Sequence, residues 1–209
     1  MNKQRTVYHL IVDRSGSMSD CIPATINGFN EQLNRIKDIA KEFPEQEVRI
    51  GLTLFNDSIN HVTISGQLGN VRPMNTENYR PGGSTALLDA IGASIGILSE
   101  NEQSKSGIPT TFVVVVLTDG YENCSRVFNL EQVRSMISRL EETGKWTFSF
   151  IGATLDAADV AEQMAFKRQN SYSFDKQEMR GEVWEKLSGS MKSYLDKKSK
   201  GEDLSDFID

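Results

Sequence analysis

Cysteine and histidine are scarce in this chain, with two of each among 209 residues. Cys21 and Cys124 are too few for a disulfide framework, and both are expected as free thiols of a cytoplasmic protein. Without histidines nearby, two thiols also make a poor zinc site. Basic charge is in deficit: Lys and Arg number 23 against 29 Asp and Glu, for a net charge of −6. No Lys/Arg cluster with interleaved aromatics appears, which argues against general nucleic-acid binding. No apolar run approaches membrane-spanning length, so no membrane partner is expected. The start, Met1-Asn2-Lys3-Gln4-Arg5, leads into only the six residues Val7 to Val12 before Asp13, too short for a signal-peptide core. A cytoplasmic location is the expectation. The P-loop pattern G-x-x-x-x-G-K-[ST] is absent, and so is the G-x-S-x-G elbow of serine hydrolases. Neither histidine sits at an obvious strand-end loop. His9 reads as a strand residue with a satisfied hydrogen bond, and His61 as exposed rather than catalytic.

The length suits one domain, expected over 1–196, with a flexible polar tail over 197–209. Strands are expected at Thr6–Val12, Val48–Phe55, Ile59–Ser65, Thr111–Leu117, Trp146–Ile151 and Ser171–Phe174. Asn56-Asp57-Ser58 between the second and third implies an antiparallel hairpin. Helical spacing covers Ile22–Phe43, Thr85–Leu98, Leu130–Leu140, Ala157–Phe166 and Met179–Leu195, and Ser99–Pro109 reads as a polar loop. Gly28 interrupts the first helix at a cost of about 1 kcal/mol against alanine, and would permit close packing against the sheet. The alternation predicts an open, doubly wound α/β sheet. It is mostly parallel, with one antiparallel edge hairpin and helices on both faces.

The chemistry centres on Asp13-Arg14-Ser15-Gly16-Ser17, directly after the apolar run Val7 to Val12. One carboxylate and two hydroxyls stand at i, i+2 and i+4, so an extended loop would point them to one side. All are oxygen donors, a set suited to Mg²⁺, Mn²⁺ or Ca²⁺ rather than zinc. Three oxygens are too few for a six-coordinate ion. Gly82-Gly83-Ser84-Thr85 places a threonine at a helix start, and the apolar run Phe112 to Leu117 ends in Thr118-Asp119-Gly120. In open α/β sheets ligands bind beyond the carboxyl ends of the strands, which is where Asp13 and Asp119 fall. Taken alone, D-x-S-x-S equally describes a turn capped by Ser and Asp side chains. The joint occurrence of all three stretches favours a metal site.

The order D-x-S-x-S, then a glycine-flanked Thr, then an Asp after a β-branched strand resembles the von Willebrand factor A domain. The family's metal-ion-dependent adhesion site maps onto Asp13, Ser15, Ser17, Thr85 and Asp119. The D-R-S-G-S-M, G-S-T-A-L-L-D-A and T-D-G-Y-E-N stretches are most similar to bacterial intracellular members. The resemblance implies that Ser15, Ser17 and Thr85 ligate directly, while Asp13 and Asp119 act through water. It implies Mg²⁺ or Mn²⁺, with Ca²⁺ less favoured. One coordination position would stay open for an Asp or Glu of a partner protein. ATPases, kinases or phosphatases are the partners that family analogy suggests. Arg14 and Met18 are expected to flank the open position. Asp89 is expected in support, one turn after Thr85, with Tyr121, Glu122 and Asn123 on the rim of the docking surface.

The resulting expectation is a metal-dependent binding module without catalysis. Two alternatives stand beside it. A Mg²⁺-dependent phosphatase of the haloacid-dehalogenase kind would use Asp13 as nucleophile. That chemistry needs a second acid two residues on, where Ser15 stands, and Asp119 is followed by Gly120. A scaffold domain without metal dependence is the other.

Overall fold

A computed structural model describes residues 3–103, 107–153, 156–176 and 178–208. Six strands, β1 (Gln4–Asp13), β2 (Gln46–Phe55), β3 (Ile59–Gln67), β4 (Thr110–Thr118), β5 (Trp146–Gly152) and β6 (Ser171–Ser173), form one sheet in the order β3-β2-β1-β4-β5-β6. Every pairing is parallel except β2–β3, the expected hairpin. β1 and β4 are neighbours at the centre. The strand order reverses between them, so their carboxyl ends open the crevice where a site belongs.

Two apolar layers sandwich the sheet. Tyr8, Leu10 and Val12 of β1, with Val113, Val115 and Leu117 of β4, pack under α1 (Ile22–Glu42) and α5 (Glu182–Lys200). Val7 and Ile11, with Phe112, Val114 and Val116, face α2 (Leu87–Gln103), α3 (Leu130–Glu141) and α4 (Ala157–Gln163). Burial on both faces is why β4 reads as an unbroken apolar run and β1 as one broken only by His9. No helix among the described residues is long and apolar enough to cross a membrane.

Several boundaries move, each for a local reason. α2 begins at Leu87 rather than Thr85, because both backbone groups of Thr85 are bonded to Asn123. It also continues past Leu98 to Gln103, into the expected polar loop, of which 104–106 lie outside the described residues. α4 stops at Gln163, followed by Ala165 at φ 70°. The closing helix starts at Glu182 rather than Met179 and ends at Lys200, where Gly201 at φ 70° supplies the left-handed cap.

The expected flexible tail is corrected. Phe207 is 1% exposed, between the rings of Tyr8 and Tyr194. The carbonyls of Leu204 and Ser205 accept hydrogen bonds from Thr147 and Asn170, each at 2.8 Å. Lys198, also assigned to that tail, is buried. Its ammonium donates to the Arg5 carbonyl at 2.7 Å and to the hydroxyls of Thr6 and Thr111 at 2.8 Å. Burial lowers its pKa to about 8.

His9 is fully buried. Its Nε2 lies 2.8 Å from the Thr53 hydroxyl and its Nδ1 3.3 Å from the Ile64 carbonyl. His61, expected exposed, is half-buried with Nδ1 2.9 Å from the same hydroxyl. Burial, opposed by the Ile64 carbonyl and aided by His61, lowers His9 to a pKa of about 4. The folded state therefore holds His9 neutral, while the unfolded chain takes up a proton below its ordinary pKa of about 6.5. Stability is present above that value and is lost as pH falls toward 4, by up to about 3 kcal/mol. Urea titrations at pH 7 and pH 4.5 check this. His9→Gln is expected to flatten that part of the profile, and an unchanged slope would sink the assignment.

Candidate metal centre

β1 delivers Asp13 to the crevice fully buried, with its carbonyl held by the Tyr79 hydroxyl at 2.8 Å. The chain then turns into a short 3₁₀ segment, Gly16–Cys21. Asp13 Oδ1 accepts the Ser15 amide and Oδ2 accepts the Thr118 hydroxyl, both at 2.6 Å. Ser15 Oγ is 3.0 Å from Ser17 Oγ, which donates to Asp119 Oδ1 at 2.6 Å. Thr85 closes the ring. A Cβ on Gly120 would lie 3.3 Å from Thr85 Oγ1, 3.6 Å from Ser17 Oγ and 3.8 Å from Asp13 Oδ2. Three oxygens, from the end of β1, the 3₁₀ turn after it and the approach to α2, thus converge on the glycine that follows β4, and any side chain there would crowd them.

The electrostatics suit a cation. Burial, reinforced by the nearby Asp119 charge, raises the Asp13 carboxyl above its ordinary range, against the bonds from Thr118 and Ser15. Asp119 Oδ2 is buried without a directed hydrogen bond. Two buried carboxylates and three neutral hydroxyls make an all-oxygen donor set that fits a hard divalent ion. Among the described residues no group of three or more His, Cys, Asp or Glu is placed to hold a metal, so hydroxyls must supply part of any shell. Asp13 is poorly placed as a nucleophile, since it is fully buried and each of its oxygens already accepts a hydrogen bond.

The family model for the von Willebrand factor type A domain matches residues 9–186. The chain belongs to that family. A-domain chains of this kind are commonly protein–protein interaction modules. Among solved structures, the A domain resembles the vWF domain of the type V pili tip protein Mfa5 from Porphyromonas gingivalis. Identity is 9% at a TM-score of 0.62, over 93% of this chain and 97% of that one. The PilB minor pilin of Streptococcus sanguinis matches at 13% identity and TM-score 0.60, over 93% and 63%. Proximal thread matrix protein 1 from the mussel byssus matches at 17% and 0.58, over 89% and 46%, and is also solved with zinc in its MIDAS motif. The chain therefore spans less than half of the mussel protein and under two thirds of the pilin. No curated protein matches.

Within the A domain the expected rim residues divide. Arg14 is half-buried and donates to Ser58 Oγ at 3.2 Å, and Tyr121 is 53% exposed with its hydroxyl 2.7 Å from Asp156. Met18 is corrected: it is fully buried in the layer beneath α1, because the 3₁₀ turn rotates it inward. Glu122 is also corrected, from rim to clamp. Its Oε2 accepts the Leu88 amide at 2.9 Å and its Oε1 the Ser125 amide at 2.7 Å, which places a carboxylate on the N-terminus of α2. Asp89 accepts the amides of Arg126, Val127 and Phe128 at 2.7–2.9 Å. Its pKa is lowered because those bonds and the Arg126 charge outweigh its partial burial. Asn123 Oδ1 takes the Thr85 amide at 2.9 Å. Asp89, Glu122 and Asn123 together lock the 120–129 loop onto the start of α2 and so fix Thr85.

Three participants escaped sequence reasoning. From the sequence Thr118 reads only as part of the strand end, although a hydroxyl beside Asp119 is a readable signal. Tyr79 and Lys176 sit in irregular segments with no local pattern to mark them. Cys21 and Cys124 are both free, and burial pushes the Cys21 thiol up to about 11.

Proposed function

We propose that this A domain is a metal-dependent protein-binding module. Asp13, Ser15, Ser17, Thr85 and Asp119 would hold Mg²⁺ or Mn²⁺, and an Asp or Glu of a partner protein would complete the shell. The observation that carries this reading is the convergence of Asp13, Ser17 and Thr85 oxygens around Gly120, with Ser15 and Asp119 hydrogen-bonded to Ser17 and both carboxylates buried. A bound divalent ion would supply a Lewis-acidic centre for an anionic oxygen. This chain's residues do the rest. The hydroxyls donate without neutralising the charge. Asp13 and Asp119 hold the ion electrostatically, and the Asp89, Glu122 and Asn123 network keeps Thr85 in place. The zinc-occupied MIDAS of the mussel protein supports metal binding at this position and makes zinc a necessary comparison. Partners among ATPases, kinases or phosphatases, and a cytoplasmic location, belong to the same proposal.

Calorimetric titration of Mg²⁺, Mn²⁺ and Zn²⁺ into chelator-treated protein tests it. Saturable one-site binding is expected for wild type. Thr85→Ala should weaken it on the order of 10–100-fold, and Asp119→Ala should abolish it. Partner capture should then require the metal and vanish with chelator. Absence of saturable binding by wild type would overturn the reading.

A further inference from the structure

Lys176, in the connection between β6 and α5, reaches across to the candidate metal centre. Its ammonium lies 2.6 Å from Asp119 Oδ2 and 2.9 Å from the Ser17 carbonyl oxygen. It is 3.2 Å from Asp20 Oδ1 and 3.4 Å from Oδ2. The Ser17 hydroxyl holds the other oxygen of Asp119, so both are taken, one by a full positive charge. The contact with Asp119 is an ion pair off the hydrogen-bond direction, and so chiefly electrostatic. The two partners differ in access: the Asp119 side chain is 0% exposed, the Lys176 side chain 35%. A solvent-connected cation therefore plugs a closed carboxylate. Among the described residues no other candidate donor has an ion-pair partner.

We infer that Lys176 is a tethered counter-cation of the metal-free site, and that Lys176 and a divalent ion exclude one another at Asp119. The inference rests on the metal reading above and adds regulation to it. A divalent ion and an ammonium at one buried carboxylate repel each other, and burial screens that repulsion little. Loading must therefore release Lys176, and Asp20, whose side chain is 65% exposed, stands beside it as a solvent-side station. Lys176 lies between two anchors: Phe174 is tied to the Gly152 carbonyl at 3.0 Å, and the Met179 carbonyl accepts the Trp184 indole N–H at 3.1 Å.

The test compares wild type, Lys176→Met and Lys176→Arg in the full chain. Mn²⁺ affinity is measured by calorimetry, and thermal unfolding is followed in chelator and in saturating Mn²⁺. Lys176→Met should bind Mn²⁺ on the order of tenfold tighter, because the competing arrangement is gone. The same variant should melt below wild type in chelator and level with or above it in Mn²⁺, an inversion that a merely structural lysine would not give. Lys176→Arg should stay close to wild type. Equal Mn²⁺ affinity for wild type and Lys176→Met overturns the tethered cation and leaves the metal reading standing. Failure of all three to bind Mn²⁺, with no change in melting, overturns both.

Discussion

Gly28→Ala is expected to destabilise the protein by about 3 kcal/mol, although the same change in an ordinary helix stabilises by about 1 kcal/mol. The reason is the neighbour. Gly28 lies on the face of α1 that meets α5, and a Cβ there would overlap Nε1 and Cδ1 of the Trp184 indole. The ring cannot withdraw cheaply. It is 2% exposed, and its N–H is committed to the Met179 carbonyl at 3.1 Å. Either α5 lifts from the sheet or the indole leaves its rotamer, and both cost more than helix propensity returns. For a chain of this size the melting temperature should fall by about 6–12 °C. Pairing Gly28→Ala with Trp184→Leu should recover much of the loss, since the added methyl fills space the smaller side chain vacates. The coupling in that double-mutant cycle is the measurement. A neutral or stabilising Gly28→Ala would mean that the indole does not rest on this helix.

Gly28 also shows what the sequence makes legible. Its position inside an amphipathic helix suggests close packing against the sheet, and nothing local names Trp184 of α5 as the group it meets instead. The same division runs through the molecule. β1 and β4 were readable because burial on both faces leaves mostly apolar residues, with His9 the one break between Val7 and Val12. The grouping of Asp13, Ser15, Ser17 and Asp119 was legible only because the three stretches occur together, since D-x-S-x-S alone also describes a capped turn. Thr85 was readable as part of the cluster but not as a residue outside the helix, because Asn123, far along the chain, holds it ahead of α2. Met18 and Glu122 were misplaced for a related reason. Side-chain direction in a turn depends on contacts that sequence spacing does not encode, so one turns into the core and the other onto a helix end. Lys176 was invisible, since β4 and β5 separate β6 from β1 in the sheet and only the connection after β6 carries the lysine back across to Asp119 and Ser17.

Phe207→Ala should cost about 3–5 kcal/mol, the range for emptying a buried aromatic site. A flexible tail would predict a change within about 0.5 kcal/mol, as for surface substitutions generally. Phe207 is 1% exposed, with ring centroids 5.9 Å from Tyr8 and 6.2 Å from Tyr194, so it bridges β1 and α5. Its amide donates to Asn170 Oδ1 at 2.7 Å, while Asn170 Nδ2 donates to the Ser205 carbonyl at 2.8 Å. One buried asparagine thus reads two backbone groups of the closing segment and fixes its register. Composition hid this, because a lone aromatic in an acidic stretch has no period to betray it. Deleting 202–209 should cost at least as much as Phe207→Ala, and Leu204→Ala, which removes a half-buried side chain, clearly less. Urea unfolding of the three variants checks the order. The segment packs against Thr147 near the start of β5, and Asp13 and Asp119 lie at the opposite ends of their strands. Metal titration of folded Phe207→Ala should therefore match wild type, whereas loss of both stability and metal affinity together would show that the two ends of the sheet are coupled.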